Sequence, residues 1–284
     1  MLLPPSIQPG NLNGLPCLHI HHRECQATVA LQGAQLLHFQ PAGQPPLLWL
    51  SNTEDFAAGR PIRGGIPLCW PWFGNNKPMA AAPAHGFARN RLFTLQSASD
   101  DGTHIHLRFT LPDTTSEHWP HASSLTLTMT LGQRATVILT TTNTGQQPFT
   151  LTQALHSYFP VQDINATTVS GLDGSNYLEF DQGPISQTAE VSIHGEVDRQ
   201  YLTNNPVQHI HTPAGTIAVS RLGSRSLVLW NPGADKARAL PQFPDDGYQH
   251  MLCLEAANVR SDSITLAPGQ HHSLSTIIGW SKVT

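Results

Sequence analysis

The amino-acid sequence predicts an all-β fold, either a sandwich or a barrel. Gly and Pro interrupt the chain at short intervals, and the pieces between them are short and rich in β-branched residues. Polar and apolar residues alternate within many of these pieces, which is typical of half-buried strands. No stretch shows the apolar periodicity of a long helix.

The candidate strands follow one another along the whole chain. The first half predicts strands at residues 27–33, 35–40, 47–50, 103–111, 124–131 and 135–142. A turn around Gly132 joins the last two of these strands into a hairpin. The second half predicts strands at residues 149–158, 165–169, 177–180, 191–194, 216–221, 226–230, 251–256, 264–266 and 273–278. Composition shifts nowhere, so we predict one domain over residues 1–284.

The composition excludes several classes of partner. Only 12% of residues are charged and the formal net charge is −4, so we expect no nucleic-acid or anionic-membrane partner. The sequence has neither the long apolar run of a membrane span nor a secretory signal pattern. Its 4 Cys residues are scattered, which favours free buried thiols over a disulfide framework. These features predict a cytoplasmic protein, and we expect a monomer.

One irregular segment combines apolar and cationic residues. Residues 63–74 hold two Trp residues with Phe, Ile and Leu among Gly and Pro, as a segment that lines a pocket does. Arg63 opens this segment, and Arg89 ends the block at residues 85–89 that follows it. We expect the neighbouring glycines to let backbone N–H groups approach a ligand. The hypothesis is an anion-binding wall for a phosphate, and the alternative is a pair of structural cations.

Two ionisable residues lie within apolar predicted strands, His156 and Glu255. A buried carboxylate costs several kcal/mol unless it gains a partner or a proton. An imidazole and a carboxyl group can together supply a proton donor and a proton acceptor near neutral pH. The alternative is a structural hydrogen bond between them, since no spacing forces the two strands to meet.

Three further sets of residues are candidates. Asp198 is a possible pocket carboxylate, or else a surface carboxylate paired with Arg199. Four aromatic residues could pack against a sugar ring in a binding site, or could simply fill the core. They are Trp70, Trp72, Phe73 and Trp230. Histidines cluster at 19, 21 and 22, at 104 and 106, and at 209 and 211. No third metal ligand is evident beside them, so we predict structural or surface histidines and no metal site.

Several segments together resemble the hexose-6-phosphate mutarotases, also called glucose-6-phosphate 1-epimerases, of the aldose 1-epimerase superfamily. They occur in the order of that family and span most of the chain: Arg63-Gly64-Gly65-Ile66-Pro67, Trp70-Pro71-Trp72-Phe73-Gly74, His85-Gly86-Phe87-Ala88-Arg89, Leu155-His156-Ser157-Tyr158-Phe159, Asp198-Arg199-Gln200-Tyr201, Trp230-Asn231-Pro232 and Cys253-Leu254-Glu255.

The resemblance implies a large antiparallel β supersandwich of the galactose mutarotase type, with the sugar in an open cleft. It implies that His156 is the general acid and Glu255 the general base. The residues it assigns to substrate binding are Arg63 and Arg89 for the phosphate, Asp198 for sugar hydroxyls, and His85 as a pocket histidine. Ala84 departs from the Gln that relatives often carry there, which bears on substrate preference.

The implied reaction interconverts the α and β anomers of a hexose 6-phosphate by ring opening and reclosure. It involves no redox change and no departing anion, so we expect neither a cofactor nor a metal ion, and the expected partner is a small sugar phosphate. Two alternatives stay open. One is an aldose 1-epimerase for unphosphorylated sugars, and the other is a non-catalytic sugar-binding module.

Overall fold

A computed structural model describes residues 2–75 and 81–281. The strands in its first half are β1 (Ile7–Leu12), β2 (Leu15–His22), β3 (Cys25–Ala30), β4 (Gln35–Pro41), β5 (Leu68–Cys69), β6 (Thr94–Asp100), β7 (Ile105–Thr110), β8 (Ser123–Leu131), β9 (Ala135–Asn143), β10 (Phe149–Leu151), β11 (Gln153–Leu155) and β12 (Tyr158–Pro160).

The second half continues in the same way. Its strands are β13 (Thr168–Ser170), β14 (Asn176–Glu179), β15 (Gln182–Ser186), β16 (Val191–Ser192), β17 (Val197–Leu202), β18 (Val207–Thr212), β19 (Gly215–Leu222), β20 (Ser226–Asn231), β21 (Met251–Asn258), β22 (Ile264–Leu266) and β23 (His271–Trp280). The described helices are α1 (Gly233–Ala239) and short 3-10 turns at Ala88–Asn90, Ile164–Ala166, Gly247–Gln249 and Arg260–Asp262. This confirms the all-β prediction.

Two large antiparallel sheets dominate the fold. One has nine strands in the order β16-β13-β18-β19-β23-β9-β8-β7-β6. The other has eight strands in the order β15-β14-β17-β20-β21-β11-β5, with β12 also paired to β21. A four-stranded sheet β1-β2-β3-β4 and the pair β10-β22 complete the described sheets.

Strand β21 separates the main core from a second face of the eight-stranded sheet. Leu252, Leu254 and Ala256 belong to the largest apolar cluster, together with Leu127 and Leu139 of the nine-stranded sheet. Because successive side chains of a strand point to opposite faces, the residues between them point away from this cluster. Cys253 and Glu255 are therefore directed to the other face, although the whole strand is buried.

The predicted strands at residues 47–50 and 149–158 need correction. Residues 47–50 contribute only an isolated bridge between Leu50 and Gly64. Residues 149–158 form three short strands instead of one, because the backbone leaves its pairing at Thr152 and again at His156 and Ser157. Within residues 2–75 and 81–281, no helix is long and apolar enough to cross a membrane.

Candidate active site

His156 and Glu255 meet because of the register of the eight-stranded sheet. Leu155 of β11 pairs with Ala256, and Tyr158 of β12 pairs with Cys253. The register is the same on both sides of the gap, so His156 lies opposite Glu255 of β21. Residues directly opposite in an antiparallel pair share a face. The backbone N–H of His156 donates to Pro67 O at 3.0 Å, which ties this interruption to the loop before β5.

The same face carries a row of side chains across four neighbouring strands. Tyr158 pairs with Cys253, Cys253 pairs with Trp230, and Trp230 pairs with Asp198. Glu255 is two residues beyond Cys253 on β21 and so points in the same direction. The sheet therefore brings together residues of four strands that are separated in sequence.

The His156–Glu255 contact is close but carries no hydrogen bond. Nδ1 of His156 lies 3.2 Å from Oε1 of Glu255, and the two side chains are 9% and 1% exposed. Neither this nitrogen nor either carboxyl oxygen has a hydrogen-bond partner, although all three atoms are buried. Buried polar atoms without hydrogen-bond partners lower the stability of the folded protein. The arrangement of these atoms therefore indicates a role other than stabilisation.

Burial decides the protonation of this pair. It raises the pKa of Glu255 well above 4.5, and the Asp198 carboxylate adds to this effect while Arg89 opposes it. Burial also lowers the pKa of His156 well below 6.5, reinforced by His85, Arg89 and Arg63. Burial therefore favours the neutral form of each of the two groups.

His85 lies next to His156, with ring centroids 5.8 Å apart. Its Nδ1 accepts the backbone N–H of Gly74 at 3.3 Å and also contacts Sγ of Cys69 at 3.3 Å. Burial, together with the charges of Arg89 and Arg63, lowers the pKa of His85 to about 3. The ring is therefore neutral with its proton on Nε2, which leaves an N–H to donate to a ligand.

Arg63 and Arg89 lie near the rings of His85 and His156. Nη1 of Arg63 lies 3.4 Å from the hydroxyl of Tyr158, and Nη2 of Arg89 donates to Ala84 O at 2.8 Å. Within the described part of the chain neither guanidinium forms an ion pair with a carboxylate, and Nε of Arg89 is buried without a partner. Both cations lower the pKa of His156, so both act electrostatically on the face that carries this residue.

The glycines beside the arginines lie tightly against neighbouring backbone. A Cβ on Gly64 would lie 2.5 Å from Trp49 O, and a Cβ on Gly86 would lie 1.9 Å from Trp70 O. These positions thus let backbone pack closely against backbone. At Gly86 this contact fixes the loop that carries His85.

The remaining predicted residues divide between the site and the core. Trp230 packs edge-on against His156 at 6.0 Å, and Phe73 packs edge-on against His85 at 4.9 Å. Trp70, in contrast, is 0% exposed and donates to the Thr141 hydroxyl, so it belongs to the core. Trp72 is likewise buried, 7% exposed.

Asp198 lies on β17 and not on a surface loop. Arg199 next to it pairs instead with Glu179, Nε to Oε1 at 2.8 Å. Burial raises the pKa of Asp198, and its charge reaches Glu255. These observations favour the pocket interpretation of Asp198 over the surface ion pair.

Two residues of this face were missed by the sequence interpretation. Tyr158 stacks on His156, with ring centroids 4.8 Å apart and an interplanar angle of 13°. Cys253 offers a thiol within 4.8 Å of ligand atoms of His156 and Glu255. Cys253 could have been found from the strand period, since it lies two residues before Glu255. The four cysteines are all free and buried, as predicted.

Comparison with known proteins agrees with this geometry. The family described as aldose 1-epimerase matches residues 16–279. An Escherichia coli relative named "Putative glucose-6-phosphate 1-epimerase" is 36% identical over 262 residues, 89% of this chain and 86% of the relative. A relative of the same name from Cenchrus ciliaris is 33% identical over 264 residues, 87% of this chain and 79% of its own length.

Solved structures give the same result. The crystal structure of a protein titled a putative mutarotase, from Salmonella typhimurium, superposes with a TM-score of 0.91 at 32% identity, covering 99% of this chain and 96% of that one. A structure titled a putative aldose 1-epimerase, from Escherichia coli, shares the fold with a TM-score of 0.65 at 15% identity, covering 93% of this chain and 98% of that one. The resemblance and the supersandwich fold predicted from the sequence are therefore confirmed. The chain belongs to the aldose 1-epimerase family and is an isomerase that interconverts sugar anomers.

Proposed function

We propose that the chain interconverts the α and β anomers of a hexose 6-phosphate, with glucose 6-phosphate as the expected substrate. The observation that carries this proposal is the buried pair His156 and Glu255. Their nearest atoms are 3.2 Å apart without a hydrogen bond, and two guanidinium groups border the same face. The names of the relatives also support the phosphorylated substrate.

The chemistry needs only a proton acceptor at the C1 hydroxyl and a proton donor at the ring oxygen. Glu255, as a carboxylate, accepts the hydroxyl proton while His156, as an imidazolium, donates its proton to the ring oxygen. The C1–O5 bond breaks and an open-chain aldehyde forms. Rotation about C1–C2 presents the other face of the carbonyl, and the two residues exchange roles as the ring closes. Positioned acid–base pairs contribute about 10²–10⁴-fold to a rate.

Burial favours the neutral forms of His156 and Glu255, and such a neutral pair holds the proton that this step requires. A neutral imidazole with a protonated carboxyl group contains the same number of protons as an imidazolium with a carboxylate. Arg63 and Arg89 are among the charges that lower the pKa of His156, after burial and His85. A phosphate dianion bound between the two guanidinium groups offsets their charge. The pKa of His156 then rises, and the proton moves to the imidazole when substrate binds.

The other side chains of the face provide binding and orientation. Arg63 and Arg89 hold the phosphate by charge-assisted hydrogen bonds, which are stronger than those between neutral groups. His85 donates from Nε2 to a sugar hydroxyl, and Asp198 accepts from another. Trp230 and Phe73 pack against the C–H face of the sugar ring. Fixing both ends of the sugar holds C1 between Glu255 and His156.

Composition and packing support proposals about location, partners and domain organisation. With 12% charged residues and a net charge of −4, we propose a cytoplasmic monomer that binds neither nucleic acid nor membrane. We also propose that residues 1–284 fold as one domain, because one apolar cluster includes strands of all three larger sheets. A single cooperative unfolding transition in calorimetry is the expected result for one domain.

NMR exchange spectroscopy of the two anomeric proton signals tests the proposed function. With glucose 6-phosphate and the wild-type protein, we expect exchange cross-peaks far stronger than those without protein. His156→Ala, folded to the same extent by circular dichroism, should lose them. Faster exchange for glucose than for glucose 6-phosphate would contradict the phosphorylated substrate. Saturable binding of the sugar phosphate without any accelerated exchange would instead indicate a sugar-binding module.

A further inference from the structure

A second polar cluster lies at the turn between β6 and β7, at the edge of the nine-stranded sheet. His104 of this turn and His106 at the start of β7 form a His-x-His pair in the sequence with no third ligand beside it. The folded turn supplies one, because Asp101 lies next to both rings. A nitrogen from each imidazole and an oxygen of the carboxylate all lie within 4.8 Å of one another.

The backbone of the turn orients the Asp101 carboxylate. Its Oδ1 accepts the backbone N–H groups of Thr103 at 2.8 Å and of His104 at 2.7 Å. Its Oδ2 faces the histidines, 2.8 Å from Nε2 of His106 and 3.7 Å from Nδ1 of His104. One oxygen is therefore used by the turn, and the other is directed at the two imidazole nitrogens.

The His106 ring is held from its far side. Its Nδ1 lies 3.3 Å from the hydroxyl of Thr130 on the neighbouring strand β8. An oxygen partner on the second ring nitrogen is the usual environment of a metal-binding histidine, because it fixes the tautomer and the ring orientation. With Nδ1 bound to this oxygen, Nε2 is the nitrogen left for a ligand.

The spacing of the three ligand atoms fits a small divalent transition metal. Ligands about 2.0–2.1 Å from a tetrahedral zinc ion lie roughly 3.3–3.4 Å from each other. The two distances to Asp101 Oδ2, 2.8 and 3.7 Å, lie on either side of this value. Imidazole nitrogen combined with a carboxylate oxygen suits zinc and its neighbours better than magnesium or calcium.

Access to the cluster needs no unfolding. The side chains of Asp101, His104 and His106 are 48%, 43% and 42% exposed. Small movements of half-exposed side chains can close the remaining gaps in ligand spacing, and a fourth position stays open to water. An ion here replaces the hydrogen bond between His106 and Asp101, and it ties the β6–β7 turn to both rings.

We propose that Asp101, His104 and His106 form a binding site for one divalent transition metal ion of the zinc class. This site lies on the nine-stranded sheet and is separate from the sugar site, so it does not depend on the proposed reaction. The ion stabilises the native β6–β7 turn, because a ligand that binds only the folded state shifts the folding equilibrium by mass action.

Metal titration of the full chain, purified without a histidine tag and stripped with a chelator, tests this site. We expect one equivalent of Zn²⁺ to bind by calorimetry, and Co²⁺ to give the intense visible absorption of a tetrahedral site. Asp101→Asn keeps an oxygen acceptor for the turn but removes the anionic ligand. It should weaken Zn²⁺ binding at least about tenfold, and His106→Gln should do the same.

Two control variants separate this site from other histidines. His209→Gln alters another His-x-His pair of the sequence, and His156→Gln alters the second described cluster of possible ligands, formed with Cys253 and Glu255. Both controls should keep the wild-type Zn²⁺ affinity of this site. Unchanged affinity in His106→Gln, or loss of binding only in His156→Gln, would overturn the proposal.

Thermal unfolding provides a second measurement. The effect of Zn²⁺ on the melting temperature would not change in the variant if the histidine had a purely structural role. His106→Gln removes the hydrogen bond to Asp101, so the melting temperature of the metal-free variant can change by itself. The relevant quantity is the rise in melting temperature on adding Zn²⁺. This rise should be present in the wild type and in His209→Gln, and it should be absent in His106→Gln. An equal rise in all three proteins would contradict the proposed site.

Discussion

Replacing Arg89 with Ala should separate phosphorylated from free sugars. Arg89 donates from Nη2 to Ala84 O, while its Nε is buried without a partner and so is free to bind an anion. A hydrogen bond that involves a charged group contributes about 1.5–3 kcal/mol. Since each 1.36 kcal/mol is a factor of ten in rate, kcat/KM for glucose 6-phosphate should fall about 10- to 150-fold. The loss should be mainly in KM.

Polarimetry of both sugars on the same protein measures this difference. Free glucose carries no phosphate, so its kcat/KM should change less than about threefold. Arg91→Ala is the matched control, because this neighbouring guanidinium lies over the Phe87 ring at 4.1 Å and binds Asp113 O at 2.9 Å. It should leave both sugars unaffected. Equal losses for the two sugars in Arg89→Ala would refute the assignment of Arg89 to the phosphate.

Three further predictions concern the proposed catalytic pair and its supporting loop. Glu255→Gln should lower kcat for anomer exchange about 10²–10⁴-fold by polarimetry while the circular dichroism spectrum is retained. The same variant should melt at a higher temperature than the wild type, and by a margin that grows from pH 5 to pH 8. Gly86→Ala should lower both melting temperature and activity more than Gly59→Ala, since their φ angles are +71° and +76° but only the Gly86 Cβ meets backbone, at Trp70 O.

The pH dependence follows from the raised pKa of Glu255. A carboxyl group whose pKa is higher in the folded than in the unfolded state binds protons more tightly when folded. Its contribution to stability is complete below the unfolded value of 4.5 and is lost as pH rises towards the folded pKa, which burial raises. A glutamine side chain does not titrate, so the stability of Glu255→Gln does not fall in this way. A difference in melting temperature between this variant and the wild type that stays constant from pH 5 to pH 8 would contradict a buried protonated Glu255.

The sequence predicted much of the fold because alternation is a local property. The interior strands β8 and β9 follow it residue by residue, with buried and half-buried positions in turn. Strand β2 was not predicted, although it is a regular eight-residue strand. Its residues include three histidines, so polar and apolar positions do not alternate cleanly along it. The interruption at His156 was also missed, because it arises when the backbone bonds to Pro67 O of a distant loop.

The sequence allowed individual residues of the candidate site to be predicted, but not how these residues are arranged in space. His156 and Glu255 stood out because each is ionisable within an apolar segment. Their meeting depends on the register between strands about a hundred residues apart, which tertiary packing sets and local sequence does not. Trp70 shows the opposite error, because it was a candidate for the sugar site and belongs to the core. An aromatic side chain suits packing against a sugar ring and packing in a core equally well. Only the bond of Trp70 to Thr141 and its complete burial place it in the core.

Strand β21 shows how a carboxyl group without a hydrogen bond can be kept in so buried a place. One face of the strand contributes Leu252, Leu254 and Ala256 to the largest apolar cluster, so the strand cannot slip by one residue without exposing them to the other face. The same register that satisfies the core therefore also fixes Glu255 opposite His156. The apolar side chains offset the cost of the unpartnered carboxyl group, and the proposed catalytic pair needs no hydrogen bonds of its own to stay in position. For this reason, substitutions at Leu252 or Leu254 that shift the strand should disturb the site as strongly as those that touch it.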